Sequence, residues 1–324
     1  MSDITAKCEV CQSLLDEEDL FCANCGTEAP KQGRSPTTKR GSALLTTHNF
    51  ECSGCGASMS FDAREGRPKC PFCGSVRLES RKDSKTLAPK RVIPFRLNRD
   101  QAVASLRAWL GRGWFRPSDL SESAVITEIM PVYVPYWVFQ AKTHTYWTAD
   151  SSHTPPGARG DWHPLSGEHH GTYEGLLVGA SGVLAPGETS AIGPSDLTQG
   201  VPPEEVNLTD ITVERFAVPR KYARPLARQS LEAREVEACQ GRYVPGRARN
   251  VRVNARIEAL SSEPVLLPVW IMAYRYGDRT YRFLVNGQTG RATGHAPQSI
   301  WKMMLGPAIA LIIIAVVFFF GYGL

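Results

Sequence analysis

No stretch of the 324-residue sequence reads GxxxxGK[ST], the loop whose backbone N–H groups cradle nucleotide phosphates, and no acidic magnesium set stands in for it. That excludes an ATP-driven motor. The histidines show no HExxH spacing, so a helix-borne catalytic zinc is not indicated. The opening residues, MSDITAKCEV, lack an apolar run and do not read as a signal peptide. Charge is missing altogether from LGPAIALIIIAVVFFFGYGL, which starts at Leu305. Cysteine is almost absent beyond the first quarter: eight of the nine form four CxxC pairs there. The ninth, Cys239, sits in a helical pattern and reads as a small buried side chain.

The cysteine pairs are the densest chemistry in the chain. Cys8–Cys11 and Cys22–Cys25 form one set, and Cys52–Cys55 and Cys70–Cys73 a second. A CxxC turn lets two thiolates grip one ion, and two such turns on short hairpins complete a tetrahedron of sulfur. Gly26, Gly56 and Gly74 each follow a second cysteine, where the turn needs backbone freedom. Two four-cysteine zinc ribbons are therefore expected, each with one structural ion. A closed four-thiolate site leaves no coordination position for catalysis, and thiolate ligation suits a reducing compartment.

The charge-free C-terminal run is long enough, at about 1.5 Å per residue, to cross a hydrocarbon core of about 30 Å. Trp301 and Lys302 precede it as an interfacial pair, and Arg279, Arg282 and Arg291 lie on the same side. These features predict a transmembrane helix over residues 303–324, a single-pass tail anchor with residues 1–302 in the cytoplasm. The expected organisation is ribbon 1 (1–30), a flexible basic linker (31–47), ribbon 2 (48–80), a second basic linker (81–91), an α+β domain (92–302) and the anchor.

Within the α+β domain, residues 99–111 put Ala102, Leu106, Trp109 and Leu110 on one helical face. A second helix candidate lies around residues 226–240. Residues 129–147 and 264–287 are rich in aromatic and β-branched side chains and read as strands. They share an opening: Pro131-x3-Pro135-x-Trp137 is matched by Pro264-x3-Pro268-x-Trp270. Two related halves are the expectation, with the prolines at strand starts, edges or bulges and the tryptophans as inward anchors. Residues 148–210 read as loops around short strands. They gather His153, Asp161, His163, Glu168, His169 and His170, which could ligate a metal but read as solvated loop residues. Replacing His169 by alanine is then expected to leave stability unchanged.

Residues 50–302 resemble bacterial zinc-ribbon proteins, some with C-terminal membrane segments, often labelled TFIIB-type or primosomal protein N′ (replication factor Y) helicase-like. The resemblance rests on FECSGCGASMSFD with CPFCGS, on VIPFRLNRDQAVASLRAWLGRGWFRPSDL, on VYVPYWVFQAKTHTYW and on LLPVWIMAYRYGDRTYRFLVNGQTGRATGHAPQSIWKM. The Cys8–Cys25 unit is similar to a short zinc-ribbon module found at the N-termini of many bacterial membrane proteins. The resemblance implies fold and topology but no activity, and the helicase label finds no motif to rest on.

Three functions remain open on the sequence. The first is a membrane-anchored adaptor that recruits a partner protein without catalysis of its own. The second is nucleic-acid binding by the ribbons and the basic stretch 81–99, consistent with a mild net charge of +5. The third is an enzyme built on the histidine-rich segment.

Overall fold

The computed structural model describes residues 3–4, 6–10, 12, 14–15, 27, 48–61, 69–81, 87–208 and 211–304. Three short N-terminal strands come first: β1 (Asp3–Ile4), β2 (Ala6–Lys7) and β3 (Leu14–Leu15). The second ribbon contributes β4 (His48–Cys52), β5 (Ser58–Phe61) and β6 (Leu78–Arg81), and β7 (Arg91–Val92) leads into the main domain. There follow α1 (Arg99–Leu110), α2 (Leu120–Ser123), β8 (Val125–Ser151), β9 (His163–Gly179), α3 (Pro186–Ala191) and β10 (Thr212–Glu214). The chain continues through α4 (Arg220–Tyr243), β11 (Ala248–Tyr276), β12 (Arg279–Asn286) and β13 (Ala292–Gly294).

The fold is organised around two very long strands. β8 (27 residues) and β11 (29 residues) pair antiparallel over almost their whole length. The two Pro-x3-Pro-x-Trp copies lie against each other in this ladder. Pro131 pairs with Trp270 and Trp137 with Pro264, about a local two-fold axis through the Val134–Leu267 pair. The symmetry extends into the hydrogen bonds. Ala180 N–H donates to Pro135 O at 2.9 Å, and Gly287 N–H to Pro268 O at 2.7 Å. The Trp137 indole donates to Val218 O at 2.8 Å, and the Trp270 indole to Leu97 O at 3.0 Å. Phe216 packs on Trp137 with ring centroids 5.6 Å apart, as Phe95 does on Trp270 at 5.3 Å.

Each helix covers the hairpin of the other half. Asn98 caps α1 in a reciprocal box with Gln101, and the buried face of Ala102, Leu106 and Leu110 packs on Met272, Tyr274, Phe283 and Val285. α4 lays Ala223, Ala227 and Leu231 against Trp137, Phe139, Leu176 and Val178. Near the two-fold axis β8 and β11 are buried on both faces, across Val132–Phe139 and Val265–Val269. Beyond Gln140 the pattern turns to alternation, odd residues of β8 buried under α4 and even ones on the open side, as a one-sided sheet requires. This outer part of β8, with β9 and β11, forms a three-stranded arm.

The four prolines lie inside the long strands, away from their ends and from the register shifts; of the expected starts, edges and bulges, Pro135, Pro264 and Pro268 occupy local edges. The reason is local. A residue in a strand points N and C=O to the same side, and the carbonyls of Pro135, Pro264 and Pro268 face away from the β8–β11 ladder, accepting from Ala180, Lys90 and Gly287. On that outer side Pro135 falls between the partners β10 and β9, Pro264 between β1 and β7, and Pro268 between β7 and β12. At these three positions no ladder bond needs the missing N–H.

Two further expectations change. Residues 163–179 form a continuous strand, not loops around short strands. The transmembrane helix over 303–324, and with it the tail anchor and single-pass placement, is also corrected: among the described residues no helix is long and apolar enough to cross a membrane. Residues 305–324 lie outside the described residues. The 24-residue α4 has the length, but it carries charge along RKYARPLARQSLEAREVEACQGRY and buries only one stripe.

Candidate metal centre

The second ribbon brings Cys52, Cys55, Cys70 and Cys73 together. One sulfur from each lies within 4.8 Å of the others. Two equivalent turns hold them. Gly56 N–H donates to Cys52 O and Gly74 N–H to Cys70 O, both at 2.8 Å. Gly56 at φ +76° and Gly74 at φ +72° occupy the left-handed region that these turns demand. The N–H groups of Gly54 and Cys55 point at the Cys52 sulfur, and those of Phe72 and Cys73 at the Cys70 sulfur.

The spacing fits one tetrahedral ion. Zinc–sulfur bonds of about 2.3 Å place tetrahedral sulfurs about 3.8 Å apart. The Cys52–Cys73 and Cys55–Cys70 sulfurs are each 3.6 Å apart. Their titration points the same way. Burial raises the Cys52 thiol, but hydrogen bonds from Gly54, Cys55 and the neighbouring sulfurs outweigh it and bring it to about 7. Burial pushes Cys55 up to about 11 and Cys70 higher still, and the proximity of the other sulfurs adds to both. Four crowded sulfurs with one already close to ionised call for a cation among them.

Of the first set, Cys11, Cys22 and Cys25 lie outside the described residues. Cys8 is buried at the end of β2, and its carbonyl accepts from Gln12 N–H at 2.9 Å, with Gln12 at φ +59°. The turn is the one seen at Cys52–Gly56 and Cys70–Gly74.

The second ribbon is an outgrowth of the main sheet. β5 pairs with β10, which runs parallel to β8, and Met59 and Phe72 pack with Val132, Val134 and Leu267. Glu214 sits at this seam, fully buried, accepting from the Ser181 hydroxyl at 2.7 Å and Gly182 N–H at 3.0 Å. Its Oε2 has no hydrogen-bond partner among the described residues. Burial pushes this carboxyl up to about 7 despite those two donors. The folded state therefore binds the proton more tightly than the unfolded chain does. The stabilisation is complete below the unfolded value of 4.5 and is lost as pH rises through about 7. Glu214→Gln is expected to flatten the melting temperature between about pH 5 and pH 8, removing the decline of the parent protein. Parallel pH curves for the two proteins would refute this.

The histidine-rich segment is split by the pleat of β9. His169 turns inward, and its Nδ1 is hydrogen-bonded to Glu235 Oε2 at 2.8 Å, with His169 5% and Glu235 0% exposed. The Thr143 hydroxyl binds the other Glu235 oxygen, and Cys239 lies one helical turn on, its thiol pushed up to about 11 by burial and the Glu235 charge. Glu168 and His170 point to the open side, where they meet His144. His163 begins β9, with Nε2 3.1 Å from Gly160 O, while His153 and Asp161 are exposed. Thr143, His144 and Glu235 escaped the sequence reading. Period-two alternation through THTYW and the i, i+4 pair Glu235–Cys239 were the available signals.

The chain is similar to the uncharacterised protein YdjG of Bacillus subtilis (strain 168), with 24% identity over 314 aligned residues, covering 79% of this chain and 92% of the relative. No family model matches the chain, and no solved structure matches it.

Proposed function

We propose that the protein is a zinc-ribbon adaptor that recruits a partner protein. The observation that carries the reading is the set Cys52, Cys55, Cys70 and Cys73, whose four sulfurs are spaced so that they would fill the coordination sphere of one zinc ion. Such an ion is structural. It fixes a ribbon whose own core is too small to stand alone, and the β5–β10 pairing aims that ribbon rigidly from the main sheet. The Cys8 turn supports a second structural zinc in the first ribbon, with Cys11, Cys22 and Cys25 as its other ligands.

The main rival is nucleic-acid binding through the basic stretch 81–99. Part of that stretch is already engaged: Arg91 and Lys90 pair with Glu263, and Arg91 also donates to Leu197 O at 2.8 Å. Salt separates the two. A nucleic-acid binder loses about 10³–10⁵ in affinity between about 50 and 200 mM salt, whereas an apolar protein interface changes little. Labelled single- and double-stranded DNA and RNA, titrated with the metal-loaded chain, are expected to show no tight binding at either salt. Tight binding with a steep salt slope would replace the adaptor reading by the nucleic-acid one.

A further inference from the structure

The open face of the three-stranded arm carries a second set of metal-type donors. His144 on β8 and His170 on β9 are direct cross-strand neighbours, their rings stacked at 4.2 Å and 18°. Glu168, on the same face of β9, brings Oε2 to 2.8 Å from His144 Nε2. One ligand atom from each of the three lies within 4.8 Å of the others. We propose that His144, Glu168 and His170 form a surface site for a divalent transition ion of the zinc, cobalt or nickel class. The site is independent of the ribbon and of the adaptor reading.

The scaffold favours it. Side chains of directly opposed residues leave the sheet from Cβ atoms about 4.5–5.5 Å apart, and a continuous ladder holds them more firmly than a loop would. The donor set is equally specific. Two imidazole nitrogens and a carboxylate oxygen suit zinc-like ions rather than magnesium or calcium. Bonds of about 2.0–2.1 Å in a tetrahedron space such donors about 3.3 Å apart. The His144–Glu168 contact thus opens by about half an ångström to admit the ion, and the stacked imidazoles tilt so that their in-plane lone pairs converge; the Glu168 side chain, 56% exposed, is free to swing that far.

Arg256 of β11 is the other cross-strand neighbour of His144, and its positive charge keeps the site weaker than a closed thiolate cage. The remaining coordination positions face solvent beside a groove of about 410 Å³ lined by Tyr146, Ser166, Glu168, Arg252 and Asn254. Three protein ligands with an open position leave room for water or a small anion, which Arg252 would attract. The buried set of His169, Glu235 and Cys239 also lies within 4.8 Å but does not compete. Its carboxylate oxygens are both taken by His169 and Thr143. A Cβ on Gly171 would already stand 2.7 Å from Glu235 Oε1, so no space is left there.

The test titrates Co²⁺ into the full chain with its thiolate sites already filled by zinc. Cobalt bound by nitrogen and oxygen gives only weak visible bands, whereas cobalt bound by thiolate adds strong near-ultraviolet charge transfer. One Co²⁺ per chain with visible bands alone, displaced by added zinc, is expected. His170→Ala should weaken binding by about 100-fold or more and Glu168→Gln by at least about tenfold, since even outer partners of a metal site are worth about 10–100-fold. Both side chains are exposed, so the melting temperature should hold in each variant, and Cys239→Ser should bind as the parent does. No cobalt uptake, uptake insensitive to both ligand variants, or a thiolate band that vanishes in Cys239→Ser would each overturn the proposal.

Discussion

Removing the ion proposed at Cys52, Cys55, Cys70 and Cys73 is expected to melt the second ribbon and leave the long sheet standing. Structural zinc contributes on the order of 10–16 kcal/mol apparent in isolated zinc-finger peptides. The ribbon's own core cannot replace that, because β4, β5 and β6 have five, four and four residues. It does borrow support: Met59 and Phe72 are buried against Val132 and Val134. Melting should therefore spread to the β5–β10 pairing and stop at β8, which is held by β9 and β11 without the ribbon. Hydrogen exchange before and after treatment with a strong chelator checks this. Residues 48–81 should lose protection while residues 132–139 and 265–285 keep it. Cys52→Ser combined with Cys70→Ser should give the same pattern. Protection unchanged at 48–81 in the metal-free chain would mean that the ribbon does not depend on an ion.

The second large effect lies under α4. Glu235→Ala is expected to destabilise the main domain by several kcal/mol, because it leaves the buried His169 nitrogen and the Thr143 hydroxyl without their shared partner, at about 1–3 kcal/mol each. Glu235 is fully buried, His169 is 5% exposed, and Thr143 spends its hydroxyl on the same carboxylate. His169→Ala should be similarly costly, which reverses what a solvated loop histidine implies. Glu235→Gln should cost less, since an amide still reaches Thr143 and the His169 nitrogen. Chemical denaturation followed by tryptophan fluorescence reads all three. A shift within about 0.5 kcal/mol for Glu235→Ala, the range of an ordinary surface substitution, would mean that the pair is incidental.

These results bear on how much the sequence disclosed. The Pro-x3-Pro-x-Trp repeat was legible because its residue types are rare and its spacing is rigid. Its extension was harder to see. Phe95-x-Leu97-x-Arg99 and Phe216-x-Val218-x-Arg220 precede the two helices equivalently, but the feature they share is the Leu97 and Val218 carbonyls that receive the tryptophan N–H groups. A backbone carbonyl leaves no trace in residue identity. Which local edges take the prolines was hidden for a related reason. Proline is barred from a strand only where its N–H would be needed, and the gaps between β10 and β9 or β7 and β12 appear only once the pairing is known.

The histidine cluster failed through the wrong period. Gly167, Gly171 and Gly175 give the segment the look of a loop, yet Gly167 and Gly171 each have a strand role. Gly167 leaves room for the Trp147 ring, and Gly171 for Glu235 and Thr143. Once the segment is a strand, alternation alone sends His169 inward and Glu168 and His170 outward. The cysteine knuckles, by contrast, were fully legible at the second ribbon, because four thiols at fixed spacing admit few geometries.

X-ray absorption at the zinc edge tests the proposed closed four-thiolate zinc centre most directly. The full chain with Cys8→Ser and Cys22→Ser, which leaves only the second ribbon intact as a thiolate site, is loaded with one equivalent of zinc. The account predicts four sulfur neighbours at about 2.3 Å and no nitrogen or oxygen in the first shell. A first shell of mixed sulfur and oxygen, or a chain that retains no zinc, would contradict a closed structural centre and remove the ground for the adaptor reading.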